Sequence, residues 1–274
     1  MVTFKISIIN FDILNNQASC YYYNMGWNFR KYLVLGFLLL AIFTIAFLIL
    51  FKLFYKAPTC FDGIKNQNET GIDCGGKCLK VCEQNVSPVE VRWARAFKVK
   101  EGRYSVLAFA ENNNLFVGKA DYIFGIYDEE NILIRNFEGT AFIPSRRPFA
   151  VFMGNIDVGF RKPGRVIFQF KEINWQKNTS GLDNISVKEV SREKDEKGAP
   201  RISVQLFNDD KNNVNDLISV AVLYDSLGDA IGALRIPVGN IPPFESKKVY
   251  FSWPFPLSSS IDKIDILKWV EPKF

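Results

Sequence analysis

Tyr122-Ile123-Phe124-Gly125-Ile126-Tyr127-Asp128 and Ser219-Val220-Ala221-Val222-Leu223-Tyr224-Asp225 are two copies of one strand, and their relation organises the chain. Other matches follow in the same order at a period of 98 residues: Ser105-Val106-x-x-Phe109 recurs as Ser203-Val204-x-x-Phe207, and Ile143-Pro144 as Ile241-Pro242. Phe149 to Met153 returns as Lys247 to Phe251, and Val166 and Phe168 return as Ile264 and Ile266. An Asn/Asp-rich turn follows the first strand of each copy, at Glu111 to Asn114 and at Asn208 to Asn213. One order and one spacing mark an internal repeat of domain size.

Each copy reads as strands. Ile202, Val204 and Leu206 alternate with Ser203 and Gln205; Val249, Phe251 and Trp253 alternate with Lys248, Tyr250 and Ser252; Val166, Phe168 and Phe170 repeat the pattern. Period-two apolar residues place one strand face in a core and the other in water. Turn signals at Glu101-Gly102, Asn112-Asn113, Asp128 to Asn131, Pro144 to Pro148 and Lys162-Pro163-Gly164 come at the intervals of a sandwich. The expected fold class is all-β: two tandem immunoglobulin-like β-sandwiches at 87–175 and 185–274, joined by the polar linker 176–184. Most of the 25 phenylalanines then belong to cores or to the anchor described next, rather than to a stacking platform for bases or sugars.

Upstream, Tyr32 to Phe51 is a run of twenty residues without a charge. At ~1.5 Å per residue a helix of that length matches a hydrocarbon core ~30 Å thick. The run exceeds the apolar region of a secretory signal, and no A-x-A cleavage pattern follows it. It reads as an uncleaved transmembrane signal anchor over 32–54. Arg30 and Lys31 before it nearly balance Lys52 and Lys56 after it, so flanking charge does not orient it. Residues 1–31 form a short N-terminal piece containing Cys20 and no recognisable targeting or folding unit; Met25, opening the basic lead MGWNFRK, is an alternative start.

Between anchor and repeats, over 58–83, Cys60, Cys74, Cys78 and Cys82 form a local cluster, and no cysteine follows it. An even-numbered cluster in a segment with almost no apolar residues reads as two disulfides, which supply the order that burial cannot. Zinc is the competing reading, but its motifs favour C-x2-C knuckles. Three pairings remain open. Disulfides place this side of the anchor outside the cytoplasm, with the N-terminus inside. Asp62, Asn66, Asn68, Glu69 and Asp73 offer oxygen ligands for calcium, without EF-hand spacing; solvated turn residues are the plainer alternative.

Two resemblances add to this. Cys60-x-Asp62-Gly63-x-x-Asn66-x-x-Glu69-x-x-x-Asp73-Cys74-Gly75-Gly76-x-Cys78-x-x-x-Cys82 resembles a short cysteine module of secreted and surface-anchored microbial proteins. It implies location rather than activity. Phe124-x-Ile126-Tyr127-Asp128 resembles the F-x-L-Y-D signature of bacterial and archaeal immunoglobulin-like envelope domains. The second copy keeps Leu223-Tyr224-Asp225 but has Ala221 in place of the Phe. That resemblance implies surface, adhesion or scaffold modules.

Composition narrows the chemistry. The chain has no histidine, which removes Ser-His-Asp and Cys-His nucleophile activation and most catalytic zinc arrangements. No acid pair has a spacing that argues for carboxylate catalysis, so the expectation is not an enzyme and no cofactor beyond the calcium alternative. A net charge of +5 with scattered cations does not indicate nucleic acid. Arg146, Arg147, Arg161, Lys162 and Arg165 are the candidate contact surface, the alternative being a solvated loop rim. Sequons at Asn68, Asn85, Asn178 and Asn184 are candidate glycosylation sites. The expected function is a single-pass plasma-membrane protein with extracytoplasmic binding, adhesion or scaffold domains, its partners the membrane and a protein or cell-surface glycan. The alternative is an accessory subunit of a secretion, pilus or transport complex.

Overall fold

The structure, a computed structural model, describes residues 7–11, 18–22, 27–55, 57–178 and 184–270. The chain divides into an N-terminal unit ending at Pro58 and a compact unit from Thr59 to Phe274.

The N-terminal unit contains the antiparallel pair β1 (Ser7–Phe11) and β2 (Ala18–Tyr22), with Ser7 opposite Tyr22. A hairpin therefore occupies the stretch in which the sequence shows no folding unit. Helix α1 runs over Trp27–Phe54, five residues earlier than the charge-free run suggests, because Asn28, Arg30 and Lys31 extend its first turns. Its side chains from Tyr32 to Phe54 are exposed on every side, and the Thr44 hydroxyl is folded back onto the Ala41 carbonyl at 2.9 Å. A helix that is apolar all round and uncovered by protein has no stable place in water. It is long and apolar enough to cross a membrane.

The second unit holds four antiparallel sheets of three strands. Strands β3 (Glu90–Lys100), β4 (Arg103–Asn112), β5 (Phe116–Asp128), β6 (Leu133–Ile143), β7 (Arg147–Asp157) and β8 (Pro163–Lys177) form the first sandwich. Strands β9 (Ile185–Lys194), β10 (Pro200–Asn208), β11 (Val214–Tyr224), β12 (Ala230–Ile241), β13 (Ser246–Ser252) and β14 (Lys263–Val270) form the second. The orders β3-β4-β7 and β6-β5-β8 recur as β9-β10-β13 and β12-β11-β14, so β4 corresponds to β10 and β5 to β11, as the repeat requires. The fold is thus all-β, two tandem immunoglobulin-like sandwiches. Gln176 and Lys177, expected in the linker, instead continue β8, and residues 179–183 of that linker lie outside the described residues.

Each sandwich has its own core. Val106, Ala108 and Ala110 of β4 meet Tyr122, Phe124 and Ile126 of β5, with Phe149, Phe168 and Trp175 around them. Ile202, Val204 and Leu206 of β10 meet Leu217, Ala221 and Leu223 of β11, closed by Phe251 and Trp253. Alternation with one face in water describes β13, where Lys248 and Tyr250 are exposed; on β10 Arg201 is exposed, but Ser203, expected on the water face, is buried under the neighbouring strands of its sheet.

It does not describe β4 or β11. Leu107 is fully buried between Val106 and Ala108, and Val220 and Val222 are fully buried between Ser219, Ala221 and Leu223. Their second faces form a third core, in which Phe97, Leu107 and Ala150 pack against Ile218, Val220, Val222, Tyr224, Leu267 and Trp269. Trp93 stacks on Phe109 and meets Tyr224 edge-on, with centroids 5.4 and 6.4 Å apart. Arg95 closes one rim by pairing with Asp229 at 2.5 Å and reaching the Ala230 carbonyl. The four sheets therefore stack as β6-β5-β8, β3-β4-β7, β12-β11-β14 and β9-β10-β13, with three apolar layers between them. Apolar residues on both faces of these two strands need cover on both.

Two outcomes follow from that middle layer. Calorimetry of the protein shows both sandwiches unfolding together, and Leu107→Ala lowers stability by about 2–4 kcal/mol although Leu107 belongs to neither sandwich's own core; two separate transitions in the parent protein would contradict the shared layer. The second concerns Tyr224, whose phenol is pushed up first by burial and then by the neighbouring Asp265 carboxylate. The folded chain holds the proton that an unfolded tyrosine releases near pH ~10, so this group's stability is complete below that pH and is lost above it. Denaturation followed from pH 8 upward falls less steeply in Tyr224→Phe than in the parent; equal slopes would remove Tyr224 as the cause.

Candidate functional site

The cysteine segment forms two interleaved disulfides, Cys60–Cys78 and Cys74–Cys82, with Cα separations of 5.6 and 5.2 Å. Closing loops of 18 and 8 residues restricts the unfolded chain by roughly 3 kcal/mol each on loop-entropy grounds. Gly75 and Gly76 of the motif have φ of +75° and +53°. A Cβ on Gly76 would lie 2.1 Å from the Asn68 carbonyl oxygen, so only glycine fits this crossing.

The knot is docked onto the first sandwich. Val81 is buried in that sandwich's core. Its N–H donates to the Trp175 carbonyl at 3.0 Å, and the Lys177 N–H donates to the Leu79 carbonyl at 2.9 Å, so Lys80 pairs with Gln176 as one further rung beside β8. Asn114 adds a second tie: its Oδ1 accepts from the Ser87 N–H and its Nδ2 donates to the Ser87 carbonyl, both at 2.8 Å.

The residues read as calcium ligands meet in the knot, where their oxygens take main-chain donors. Asp73 accepts from the Asp62 and Gly63 N–H groups. Asp62 accepts from Thr59 and Ile64, and from the Asn66 side-chain amide. The same bonds, led by that from Thr59, hold the Asp62 carboxyl below its ordinary pKa. Glu69, only 5% exposed, accepts from the Asp73 N–H at 3.1 Å, and Asn68 is exposed. These acids fasten turns in a segment lacking a core, which accounts for their spacing in the motif. Glu69 also lies near Cys60 and Cys78, but sulfurs bonded to each other offer no thiolate to a metal.

The candidate basic surface is not one surface. Arg146 and Arg147 stand at the β6–β7 turn, where the Arg146 N–H donates to the Asn114 carbonyl. Arg161, Lys162 and Arg165 stand at the far ends of β7 and β8. There Arg161 pairs with Asp128 at 3.6 Å and Lys162 with Glu129 at 2.6 Å. An eleven-residue strand, β7, separates the two groups, about 35 Å of chain. Of the sequons, Asn68, Asn85 and Asn184 are exposed. Asn178 is half-buried and its amide donates to the Ser145 hydroxyl at 2.8 Å.

The sequence reading missed two asparagines. Asn112 and Asn208 end the equivalent strands β4 and β10 and are fully buried. Asn112 donates to the carbonyls of Phe116 and Pro144; Asn208 donates to those of Asn212, Ile241 and Pro242. Each thereby ties the turn after its strand to the Ile-Pro corner of the facing sheet. The signal was present: both lie in the Asn-rich turns of the repeat, beside the repeated Ile-Pro, but polar turn residues look solvated in sequence.

The motif aspartates have the same kind of role. Asp128 accepts from the N–H groups of Glu130 and Ile132, and Asp225 from those of Leu227 and Asp229. Asp195 does likewise with Lys197 and Ala199. In each hairpin the residue three after the Asp, namely Asn131, Gly228 or Gly198, has positive φ, the geometry of a type I turn with a following bulge.

An open depression of about 530 Å³ lies between the β9–β10 hairpin and the segment after β13, lined among others by Arg192, Lys194, Pro256, Leu257 and Ser259. Arg192 is engaged by the carbonyls of Ile261 and Asp262. Lys268 is lowered in pKa by burial and then by Arg147, but is not among the residues that line it.

No family model matches the chain, and no curated protein is significantly similar to it. Among solved structures it is similar to a red sea bream transglutaminase, at 10% identity and a TM-score of 0.21 over 69% of this chain and 32% of that one. It is also similar to a β-glucuronidase from glycoside hydrolase family 2, at 12% identity and a TM-score of 0.21 over 72% and 25%. The chain thus spans a third or less of each of these proteins. Likenesses this distant carry no argument about activity.

The buried asparagines are open to direct measurement. Asn208→Ala leaves the Ile241 and Pro242 carbonyls without their donor and costs about 3 kcal/mol in denaturant unfolding. Asn208→Asp, which keeps the shape but not the donor, costs at least as much near neutral pH; a neutral effect of both would show that water replaces the amide.

Proposed function

We propose that the chain is a single-pass membrane protein that displays its β-unit outside the cytoplasm as a non-catalytic binding, adhesion or scaffold body. The observation that carries this reading is the fate of the apolar surface. The sandwiches cover one another through the layer around Leu107 and Val220. Their outward sheet faces carry Lys119, Asp121, Glu138 and Lys171 on one side and Lys188, Arg201 and Lys248 on the other, all exposed. A polar body with turns at both ends is suited to presenting loops to a partner, a protein or a surface glycan, rather than to enclosing a substrate. The uncovered apolar helix supports retention in a membrane. The paired cysteines fit an oxidising compartment.

One observation favours the second reading, an accessory subunit of an envelope complex. Phe160 is fully exposed at the tip of the β7–β8 loop, followed by Arg161 and Lys162, and a bare aromatic beside cations is a common anchor for a protein partner.

A membrane-impermeant maleimide separates inside from outside. On intact cells Cys60, Cys74, Cys78 and Cys82 label only after reduction. Labelling confined to lysed cells would place the β-unit in the cytoplasm and end both readings.

A further inference from the structure

We infer that the disulfide knot seats on the surface of the lipid bilayer, with Phe61, Ile64, Ile72 and Leu79 as its membrane-facing side chains; this rests on the proposed reading of α1 as a retained anchor. All four are exposed, at 89%, 61%, 62% and 59%. Covalent and hydrogen-bonded ties hold them near one another. Phe61 follows Cys60 and Leu79 follows Cys78, and those cysteines are bonded. Phe61 and Ile64 flank the Asp62-Gly63 turn, whose N–H groups are held by Asp73, the residue after Ile72. A segment of some two dozen residues with little apolar content thus directs four large apolar groups outward while its buried contacts are made by Val81, Cys78, Cys82 and Glu69. Ordinary surfaces scatter such residues singly, and a group of them marks an interaction face.

Three features select lipid as the occupant. Four residues, 55–58, separate the end of α1 from Thr59, and the five steps from Phe54 to Thr59 span at most ~18 Å. The knot therefore cannot leave the neighbourhood of the headgroups of a membrane crossed by α1. The knot carries Lys65, Lys77 and Lys80, all exposed and able to reach headgroup phosphates, while the carboxylates of Asp62, Glu69 and Asp73 are turned onto main-chain donors. Exposed apolar side chains and lysines on one small module suit the boundary between acyl chains and headgroups. Tyr55, stacked on Phe51 at the end of the helix, is of the type that marks the same level.

Brominated-lipid quenching of the full chain tests the seating. The protein and its Phe61→Trp and Leu227→Trp variants are reconstituted in phosphatidylcholine–phosphatidylglycerol vesicles with bromine high on the acyl chains, and floated after a carbonate wash. The emission added by Phe61→Trp is blue-shifted and quenched about twofold, whereas that added by Leu227→Trp, in the Asp225 turn, is red and unquenched. Non-reducing peptide mapping verifies that both disulfides persist in the variant. If the Phe61→Trp protein floats and its added emission is red and unquenched, the seating alone is overturned. Blue-shifted but unquenched emission also overturns it, and assigns the face to a protein contact. Protein lost from the vesicles in the carbonate wash sinks the anchor reading, and the seating with it.

Discussion

The middle apolar layer is the interaction on which the rest of the second unit depends. Leu107 on one side and Val220 and Val222 on the other leave no water-facing surface on β4 from Ser105 to Ala108 or on β11 from Leu217 to Tyr224. Separating the sandwiches would expose Trp93, Phe97, Leu107 and Trp269 at once. Each central strand carries two cores, so its backbone geometry is set by side chains on both faces. This resembles the burial of parallel sheets more than that of ordinary antiparallel sandwiches. The two repeats are therefore halves of one four-layered body. The polar character of its outer sheets is the complement of that internal packing.

Much of this was legible beforehand. A period of 98 residues and the alternation along β10, β13 and β8 lead directly to two sandwiches, because a strand with one wet face writes its burial into every second residue. The middle layer was written as plainly, in the unbroken apolar runs Val106 to Ala110 and Val220 to Tyr224, but an uninterrupted run identifies cover on both faces without naming what provides it. The disulfide pairing was not legible, since four cysteines admit three pairings and only the folded path of the knot selects one. Sequence proximity misled at Arg146 to Arg165, where five cations close in the chain lie at opposite ends of β7. A hairpin reverses direction only after a full strand, so neighbours across its length are not neighbours in space.

Small polar side chains set the turns at every scale. Asp128, Asp195 and Asp225 hold their hairpins with the same two main-chain bonds, and Asn112 and Asn208 bind corners across the sheets. Asp62, Glu69 and Asp73 do in the knot what an apolar core does elsewhere. The acidic residues of both resemblances are thus accounted for by backbone donors needing acceptors. Motifs of this kind report how a chain turns, and they leave its ligand to the loops.

The interleaved bridges also have a mechanical meaning. From Cys60 to Cys82 the extended backbone would measure ~75 Å. The covalent route through the Cys60–Cys78 bridge, with Cα atoms 5.6 Å apart, and then four residues of chain is no longer than ~20 Å. A pull applied across this segment meets that limit whether or not the knot's hydrogen bonds hold. Tension between the two units is therefore carried by sulfur to the main-chain rung at Lys80 and Gln176, making the knot a short, nearly inextensible coupling where an open linker would act as a spring.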